Sequence, residues 1–436
     1  MAYAFFTMLN GILFIRPGDL FAALEPFALY QLMILGCLAT TYTELLARLR
    51  GDSLFKNPLT VCILGMLAAI ILSHMQFGSI YDARMSGFDF SKKVIYFLLL
   101  LCNLDTPKKY QHFLDYLVIF TLVASVLALL QYYQLIDLPA MAAYEQLEID
   151  EETGEVTSFP RLCGAGMFND PNDVCLLLAI AMLTCIYRIT TPNGGSARYF
   201  WFVPFSVFLL AFIQTKSRGG FLSLMVGLNV LLVSRIGFRR SIPIWMAGIP
   251  VVLVVFGGRM TNIDVEEGTG QDRVQLWREA LYLVREEPLF GVGQGMITEY
   301  MPLVAHNSYI HAFAELGIFG GTCFVSAIFL AISQLFAIRK TELYIQDPEM
   351  RRFHPYILAM TCGFFSGVFF LSRVYIEPTY MVLGMAGAYL QQVTVKPDTQ
   401  NPLPVLNSSL FTRLVGISLG VLLALEIVSR ILVRQG

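Results

Sequence analysis

The chain has 436 residues, of which 56% are hydrophobic and only 14% are charged. With its 34 glycines included, about 64% of the chain is apolar, against ~45–50% in an ordinary soluble domain. This composition excludes a water-soluble protein, and a net charge of -2 with no basic patch argues against a nucleic-acid partner, so we expect one membrane domain over 1–436.

Apolar segments recur along the whole chain, and a membrane helix needs ~20 predominantly apolar residues. We predict about twelve or thirteen spans, because the first and fourth segments are short by this criterion. The segments centre on 2–15, 24–42, 57–73, 91–104, 110–135, 173–190, 200–215, 218–235, 242–256, 308–338, 355–371, 376–393 and 411–433. No Lys or Arg precedes Arg16, so we expect the first segment to be retained rather than cleaved as a signal peptide.

Two long polar stretches, 137–172 and 257–307, interrupt these segments. Loops of this length usually carry function or disorder. The short loops between spans fall into two alternating sets, one with fifteen Lys and Arg residues and the other with nine. The set with more Lys and Arg is expected on the cytoplasmic side. The bias predicts that both long stretches are outer loops.

An amphipathic helix is predicted over 272–287, within the second long loop, and Pro288 stops it. Four apolar residues recur there at helical spacing: Val274, Trp277, Leu281 and Val284. We expect this helix to lie on the membrane surface or against the bundle. Arg278 and Arg285 fit an ordinary solvated face, whereas Arg273 lies at the helix entrance, where an anion would be held.

"QTKSRGGFLSL" places Lys216 and Arg218 at the start of a span. One interpretation is that both are anchors whose charged heads reach the membrane surface. The other is an anion site, because charged residues at membrane depth are costly and tend to mark substrate paths. Free N–H groups at a helix start beside Ser217, together with a guanidinium, would suit a phosphate.

"VAHNSYIHAFAELGIFGG" places His306 and Asn307 ahead of a span that contains His311 and Glu315. The two histidines are five residues apart, which is poor spacing for a shared metal. His311 and Glu315 are four apart and can pair on one helix face, so we predict a mainly structural role for them. His306 is either a satisfied polar group or a general base at the outer side.

Glycines cluster around the same region. "PLFGVGQGM" contains Gly291, Gly293 and Gly295, but it is not a nucleotide-binding motif, since the spacing is wrong and no strand precedes it. We expect these glycines to let the chain turn and pack closely as it returns to the membrane. Gly317 and Gly321 form a pair of small residues that predicts tight helix packing.

"RLCGAGMFNDPND" crowds polar residues at the entry to another span: Arg161, Asn169, Asp170, Asn172 and Asp173. Asp170 or Asn172 could simply cap that helix. These side chains could equally bind sugar hydroxyls, and the sequence leaves both interpretations open.

The motifs "TKSRGG", "DRVQLWREAL", "PLFGVGQG" and "HNSYIHAFAELGIFGG" together closely resemble the O-antigen ligase and polymerase superfamily, over about 110 residues from Gln214 to Gly321. The "GMFNDPND" element and the many-span layout extend the similarity across most of the chain. The resemblance implies an all-α fold, a polytopic helical bundle in the bacterial inner membrane with a large periplasmic loop between late spans. The possible extra C-terminal span, 411–433, departs from the family's pattern.

The resemblance also implies an inverting, metal-independent glycosyltransferase without a cofactor. Its donor is a glycan on undecaprenyl diphosphate, and its acceptor is lipid A–core in ligases or another lipid-linked glycan in polymerases. The family's functional arginines match Arg218 and Arg273, and its histidine matches His306. Further contacts with the diphosphate or the glycan are expected from Lys216, Ser217, Asn307, Arg161, Asn169, Asp170 and Asn172.

Four functions compete for this sequence. We favour a ligase over a polymerase, although the motifs do not separate the two. A protein O-oligosaccharyltransferase usually adds a C-terminal periplasmic domain, which we do not expect here. A transporter would place charges in the middle of its spans, whereas here the polar residues gather at one membrane face.

Overall fold

A computed structural model describes most of the chain, namely residues 1–21, 23–149, 156–192, 195–255, 269–339, 345–393 and 405–435. Two segments of the predicted outer loops, 150–155 and 256–268, lie outside the described residues.

Helices make up most of the described chain. They are α1 (Ala2–Ile15), α2 (Pro17–Leu20), α3 (Leu29–Leu49), α4 (Gly51–Phe55), α5 (Pro58–Met75), α6 (Ile80–Asn103), α7 (Pro107–Tyr132), α8 (Pro171–Ile189), α9 (Phe202–Thr215), α10 (Arg218–Ile236), α11 (Phe238–Val255), α12 (Thr269–Glu286), α13 (Ile297–Tyr300), α14 (Ser308–Arg339), α15 (Pro348–Gly367), α16 (Glu377–Gln392) and α17 (Ser408–Gln435). Short 3₁₀ turns lie at Pro139–Met141, Gly166–Phe168, Gly195–Trp201 and Val368–Phe370. The all-α prediction is confirmed.

Within the described residues, nine helical segments are long and apolar enough to cross a membrane. They are Leu29–Leu49, Pro58–Met75, Pro107–Tyr132, Pro171–Ile189, Gly195–Thr215, Arg218–Ile236, Ser308–Arg339, Pro348–Phe370 and Ser408–Leu432. The other four predicted spans also lie in helices, namely α1, α6, α11 and α16. Of these, α1 has 14 residues and α16 has 16, which is short for a ~30 Å hydrocarbon core. The chain is a multi-pass membrane protein.

The predicted outer loop at 137–172 contains a β-hairpin that the sequence did not predict. Strands β1 (Tyr144–Ile149) and β2 (Val156–Arg161) pair antiparallel, with Tyr144 opposite Arg161. An isolated two-stranded hairpin is marginally stable in water. Contacts with neighbouring helices therefore matter for its position, and Arg161 makes such contacts at the end of β2.

The helices form two compact units. Unit 1 comprises Met1–Thr41, Asn103–Ile263 and Arg352–Gly367. Its central helix is α8, which packs against α7, α9 and α10. Almost every side chain from Val174 to Leu183 on α8 is buried, so this helix is apolar on all faces.

Unit 2 comprises Tyr42–Cys102, Asp264–Arg351 and Val368–Gly436. Its central helix is α14, which packs against α5, α12, α16 and α17. The predicted amphipathic helix belongs to α12, and it packs against the bundle, on α14 and α17. The four apolar residues predicted to form its buried face, Val274, Trp277, Leu281 and Val284, are all at most 7% exposed.

Helix α14 is broken at Gly317, where φ is 62° and ψ is -166°. The segment 288–293 docks into the break through four backbone hydrogen bonds, from Ile318 N to Pro288 O (2.8 Å), Phe319 N to Leu289 O (3.2 Å), Val292 N to Ala314 O (3.0 Å) and Gly293 N to Glu315 O (3.0 Å). As predicted, the glycines of this segment allow the turns, since Gly291, Gly293 and Gly295 all have positive φ.

The predicted helix-packing pair of Gly317 and Gly321 needs correction. The backbone of segment 288–290, rather than another helix, approaches Gly317. It is Gly320 that faces α5, because a Cβ there would lie 2.9 Å from the Cβ of Ala69. Because α14 is broken at Gly317, residues before and after the break are not on the faces that a straight helix would give them. Gly317 and Gly321 therefore do not form one packing surface.

A Gly317→Ala substitution should lower the free energy of unfolding by about 1–3 kcal/mol. Alanine disfavours positive φ, and its Cβ would lie 2.4 Å from the Leu289 carbonyl carbon. The midpoint of thermal unfolding in detergent measures the effect. Gly416→Ala on α17 is the matched control, because nothing lies within 4 Å of a Cβ there. Equal midpoints for the two variants would contradict the proposed requirement for glycine.

Candidate functional site

Two helix starts in unit 1 bring together most of the polar residues predicted there. Asp170 is the N-cap of α8, and its Oδ1 accepts a hydrogen bond from the backbone N of Asn172 at 2.8 Å. Ser217 is the N-cap of α10, and its Oγ accepts from the backbone N of Gly220 at 3.0 Å. The capping interpretation of Asp170 is therefore the one that the structure supports, while contact with sugar stays a prediction.

Asn172 links these two helix starts. Its Oδ1 accepts hydrogen bonds from the Ser217 hydroxyl at 2.6 Å and from Arg161 Nη2 at 3.0 Å. Arg161 is only 6% exposed, and its Nε also donates to the carbonyl of Thr215, the last residue of α9, at 2.9 Å. The Arg161 guanidinium thus ties β2 to α8 and α9, which gives it a structural role.

An Asn172→Leu substitution should lower stability by about 1–3 kcal/mol, because it removes the acceptor for a buried guanidinium and a capping hydroxyl. Thermal unfolding in detergent measures this loss. Asn169→Leu is the control, since Asn169 is exposed three residues earlier and should change stability by less than about 0.5 kcal/mol. If both variants unfold at the wild-type temperature, Asn172 does not hold the two helix starts together.

The cations of "TKSRGG" occupy different positions at the start of α10. Lys216 has positive φ (49°), and its Nζ lies 4.8 Å from the centre of the Phe159 ring, a cation–π contact with the hairpin. Arg218 is the first residue of α10 and is half-buried. Gly220 allows α10 to start close to α8, because a Cβ there would lie 2.1 Å from Cys175 Sγ. Arg218 is therefore held at the positive end of a membrane-spanning helix.

The start of α14 in unit 2 has the same local design. His306, like Lys216, is a non-glycine residue with positive φ (47°) and directly precedes a helix cap. Asn307 is that cap, because its Oδ1 accepts from the backbone N of Tyr309 at 3.0 Å and of Ile310 at 3.1 Å. Asn307 Nδ2 is buried and has no hydrogen-bond partner among the described residues. Non-glycine residues in left-handed backbone are uncommon and cluster at functional sites.

Arg273 lies in the first turns of α12 and is half-buried. It precedes Val274 and Trp277, which are both 7% exposed, and Trp277 packs edge-on against Phe369 at 5.6 Å between ring centres. The packed face of α12 thus fixes the position of Arg273. Arg278 points to solvent, as predicted.

His311 and Glu315 pair on α14 as their spacing predicted. His311 Nε2 lies 3.0 Å from a carboxylate oxygen of Glu315, whose side chain is fully buried. The other carboxylate oxygen of Glu315 accepts from the backbone N of Ile297 at 3.4 Å. Glu315 therefore joins α14 to the segment that follows α12, and this agrees with a structural role.

Arg373 belongs to none of the motifs described above, yet it contacts the start of α14. Its backbone N donates to Ser308 Oγ at 2.8 Å, and that hydroxyl donates to the Leu371 carbonyl at 2.5 Å. The backbone of Arg373 therefore lies against the start of α14 at Ser308, which is two residues after His306. The position of Arg373 follows only from the hydrogen bonds of Ser308 with Leu371 and Arg373, and no local feature of the sequence predicts these contacts.

The predicted catalytic residues are divided between the units, with Arg218 in unit 1 and Arg273 and His306 in unit 2. In the part of the chain that the structure describes, no three His, Cys, Asp or Glu side chains come close enough to hold a metal ion.

Comparison with known proteins identifies the region that contains these residues. A family model described as O-antigen ligase matches residues 203–325, a stretch that includes Arg218, Arg273 and His306. None of the curated proteins compared with the chain is significantly similar to it. A solved chain from a study of polymerization and crosslinking by a peptidoglycan synthase complex is 16% identical, with 76% of this chain and 95% of that chain covered, but its TM-score of 0.40 carries no argument. Residues 203–325 of this multi-pass, all-α membrane protein are therefore similar to the O-antigen ligase family.

Proposed function

We propose that the chain is a ligase that transfers a glycan from undecaprenyl diphosphate to an acceptor hydroxyl, such as one on lipid A–core. The reaction would take place at the periplasmic face of the bacterial inner membrane. The observation that carries this proposal is the position of Arg218, half-buried at the first residue of a membrane-spanning helix within the matched region. This is a position for binding the phosphates of a lipid-borne donor.

In the proposed reaction, the bond between the anomeric carbon and the diphosphate oxygen breaks, and its electron pair leaves with the diphosphate. The acceptor oxygen attacks the opposite face of the anomeric carbon, which inverts its configuration. A diphosphate leaves without protonation, so the reaction needs stabilisation of negative charge rather than a general acid. Arg218 and Arg273 would supply it through charge-assisted, two-pronged contacts.

His306 would accept the proton of the attacking hydroxyl. Imidazole is suited to this role because its ordinary pKa lies near neutral pH. Support comes from the backbone: the left-handed conformation of His306 is held between the preceding loop and the Asn307 cap. A defined backbone at His306 would limit the positions that its side chain has to search in each cycle.

The decisive experiment gives the purified full chain a lipid-linked glycan together with either lipid A–core or a second lipid-linked glycan. A ligase produces glycosylated lipid A–core, whereas a polymerase produces a longer lipid-linked glycan by the same chemistry. Formation of neither product with intact donor would contradict both the ligase and the polymerase function.

The reaction should continue in EDTA, because two guanidinium groups can neutralise the leaving diphosphate. Its loss in EDTA and rescue by one divalent ion would overturn the metal-independent mechanism.

A further inference from the structure

Unit 2 contains a cavity of about 340 Å³ at the end of α14 that is remote from His306. Its walls come from the end of α3, from α4 and the two residues that join it to α5, from the start of α5, and from the ends of α6, α14 and α16. Gln334, the contribution of α14, lies about seven helical turns after Ser308. The part of α14 after its break at Gly317 is itself about 25 Å long up to Gln334, close to a bilayer core of ~30 Å, so we expect the cavity at the membrane face opposite His306.

The cavity is positively charged. Arg48 and Lys56 line it, and among the described lining residues there is no Asp or Glu. Arg48 is anchored, because its Nη1 donates to Gln391 Oε1 at 2.5 Å and its Nη2 donates to the Leu101 carbonyl at 2.7 Å. A guanidinium has five N–H donors, so this anchoring leaves donors for a ligand. The start of α5, capped by Asn57, adds the positive end of a helix.

Gln334 supplies an independent sign of a ligand. Its side chain lines the cavity and is only 6% exposed. No hydrogen bond joins its amide to any other residue in the described ranges of the chain. Most of the side chain is enclosed, but the amide itself opens into the cavity, where a ligand can reach it. A ligand that accepts hydrogen bonds would satisfy it.

We propose that this cavity binds a phosphate-bearing anion between Arg48 and Lys56, with the Gln334 amide as a third donor. The headgroup of an anionic lipid is the source that the surroundings favour, because the cavity lies near one end of the long apolar helix α14 and because Leu59, Leu101 and Leu390 form part of its walls. The site is distinct from the residues of the proposed transfer reaction and does not depend on that reaction.

Binding is measured on the full chain in neutral detergent by native mass spectrometry and by thermal-shift titration. Phosphatidylglycerol, phosphatidylcholine and inorganic phosphate serve as the three probes. Wild-type protein should retain phosphatidylglycerol at least ~tenfold more tightly than phosphatidylcholine, since only the first carries a net negative charge. Lys56→Gln should weaken phosphatidylglycerol binding by ~tenfold. Lys56 is exposed, so this variant should fold normally.

Gln334→Leu separates a binding role from a structural one. It should weaken phosphatidylglycerol binding, yet leave the lipid-free protein about as stable as wild type, because the substitution breaks no hydrogen bond within the described chain. Arg50→Gln is the control, since Arg50 is an exposed neighbour of Arg48 that does not line the cavity. It should bind phosphatidylglycerol like wild type.

The three probes distinguish the source of the anion. If inorganic phosphate stabilises the wild type with the same dependence on Lys56 and Gln334, and phosphatidylglycerol is not preferred, the site binds a soluble phosphate. Two results overturn the proposal. One is an equal loss of binding in Arg50→Gln and Lys56→Gln, which indicates unspecific surface charge. The other is wild-type protein that neither prefers phosphatidylglycerol nor responds to phosphate.

Discussion

His306→Ala should reduce glycan transfer by about 10²- to 10⁴-fold, the contribution of a positioned general base. The donor should still bind, because the diphosphate would be held by arginines and not by the imidazole. Single-turnover transfer from a lipid-linked glycan measures the first effect, and retention of the labelled donor on purified protein measures the second. Both readouts use protein in detergent at matched folded concentrations.

His306→Asn provides a second variant in case alanine disturbs the backbone. Asparagine tolerates left-handed backbone better than most residues, so it should keep the φ of 47° while removing the base. His112→Ala is the control, because His112 is an exposed histidine on α7. Transfer at the wild-type rate in both His306 variants would exclude a catalytic base there. Loss of donor binding would instead place His306 in the phosphate site.

Arg218→Lys should lower the kcat/KM of transfer by roughly 10- to 100-fold, as expected when a charge-assisted contact is weakened by about 1.5–3 kcal/mol. Lysine keeps the charge but cannot fork two phosphate oxygens. The substitution therefore separates the two interpretations of this residue. An anchor at the membrane surface needs only a long stem and a cation, so lysine would replace arginine without loss.

Arg278→Lys is the matched control, since Arg278 is exposed on the solvated face of α12. Its kcat/KM should equal that of the wild type. Full activity of Arg218→Lys at normal protein levels would refute the phosphate clamp and leave Arg218 as an anchor. A fall in the amount of membrane-inserted protein, with unchanged activity per molecule, would lead to the same conclusion.

Local sequence signals predicted much of the fold. All thirteen predicted spans overlap helices, although α3 begins at Leu29 and not at 24, because an apolar run of this length has few alternatives in a membrane. The buried face of α12 follows the spacing of Val274, Trp277, Leu281 and Val284. The same signals missed the hairpin of β1 and β2, whose short strands carry no strong alternation and depend on their neighbours.

In the candidate site, too, local sequence predicted some contacts and missed others. The spacing of His311 and Glu315 predicted their pairing, and Asp170 was a recognisable cap. The sequence could not show that Asn172 accepts from both Arg161 and Ser217, since these residues are 11 and 45 positions away. Nor could it show that Arg373 lies against Ser308, which is 65 residues earlier.

By itself, the sequence determined that this chain spans a membrane through many helices, and its motifs indicated the resemblance to O-antigen ligases and the candidate residues. Apolar composition and short motifs are sufficient for this because both act locally along the chain. Only the tertiary structure decided that Asn172 connects the starts of α8 and α10, and that segment 288–293 docks into the break at Gly317. It alone also showed that Arg48, Lys56 and Gln334 line one cavity. Those relations join residues far apart in sequence, and packing and hydrogen bonding in three dimensions determine them.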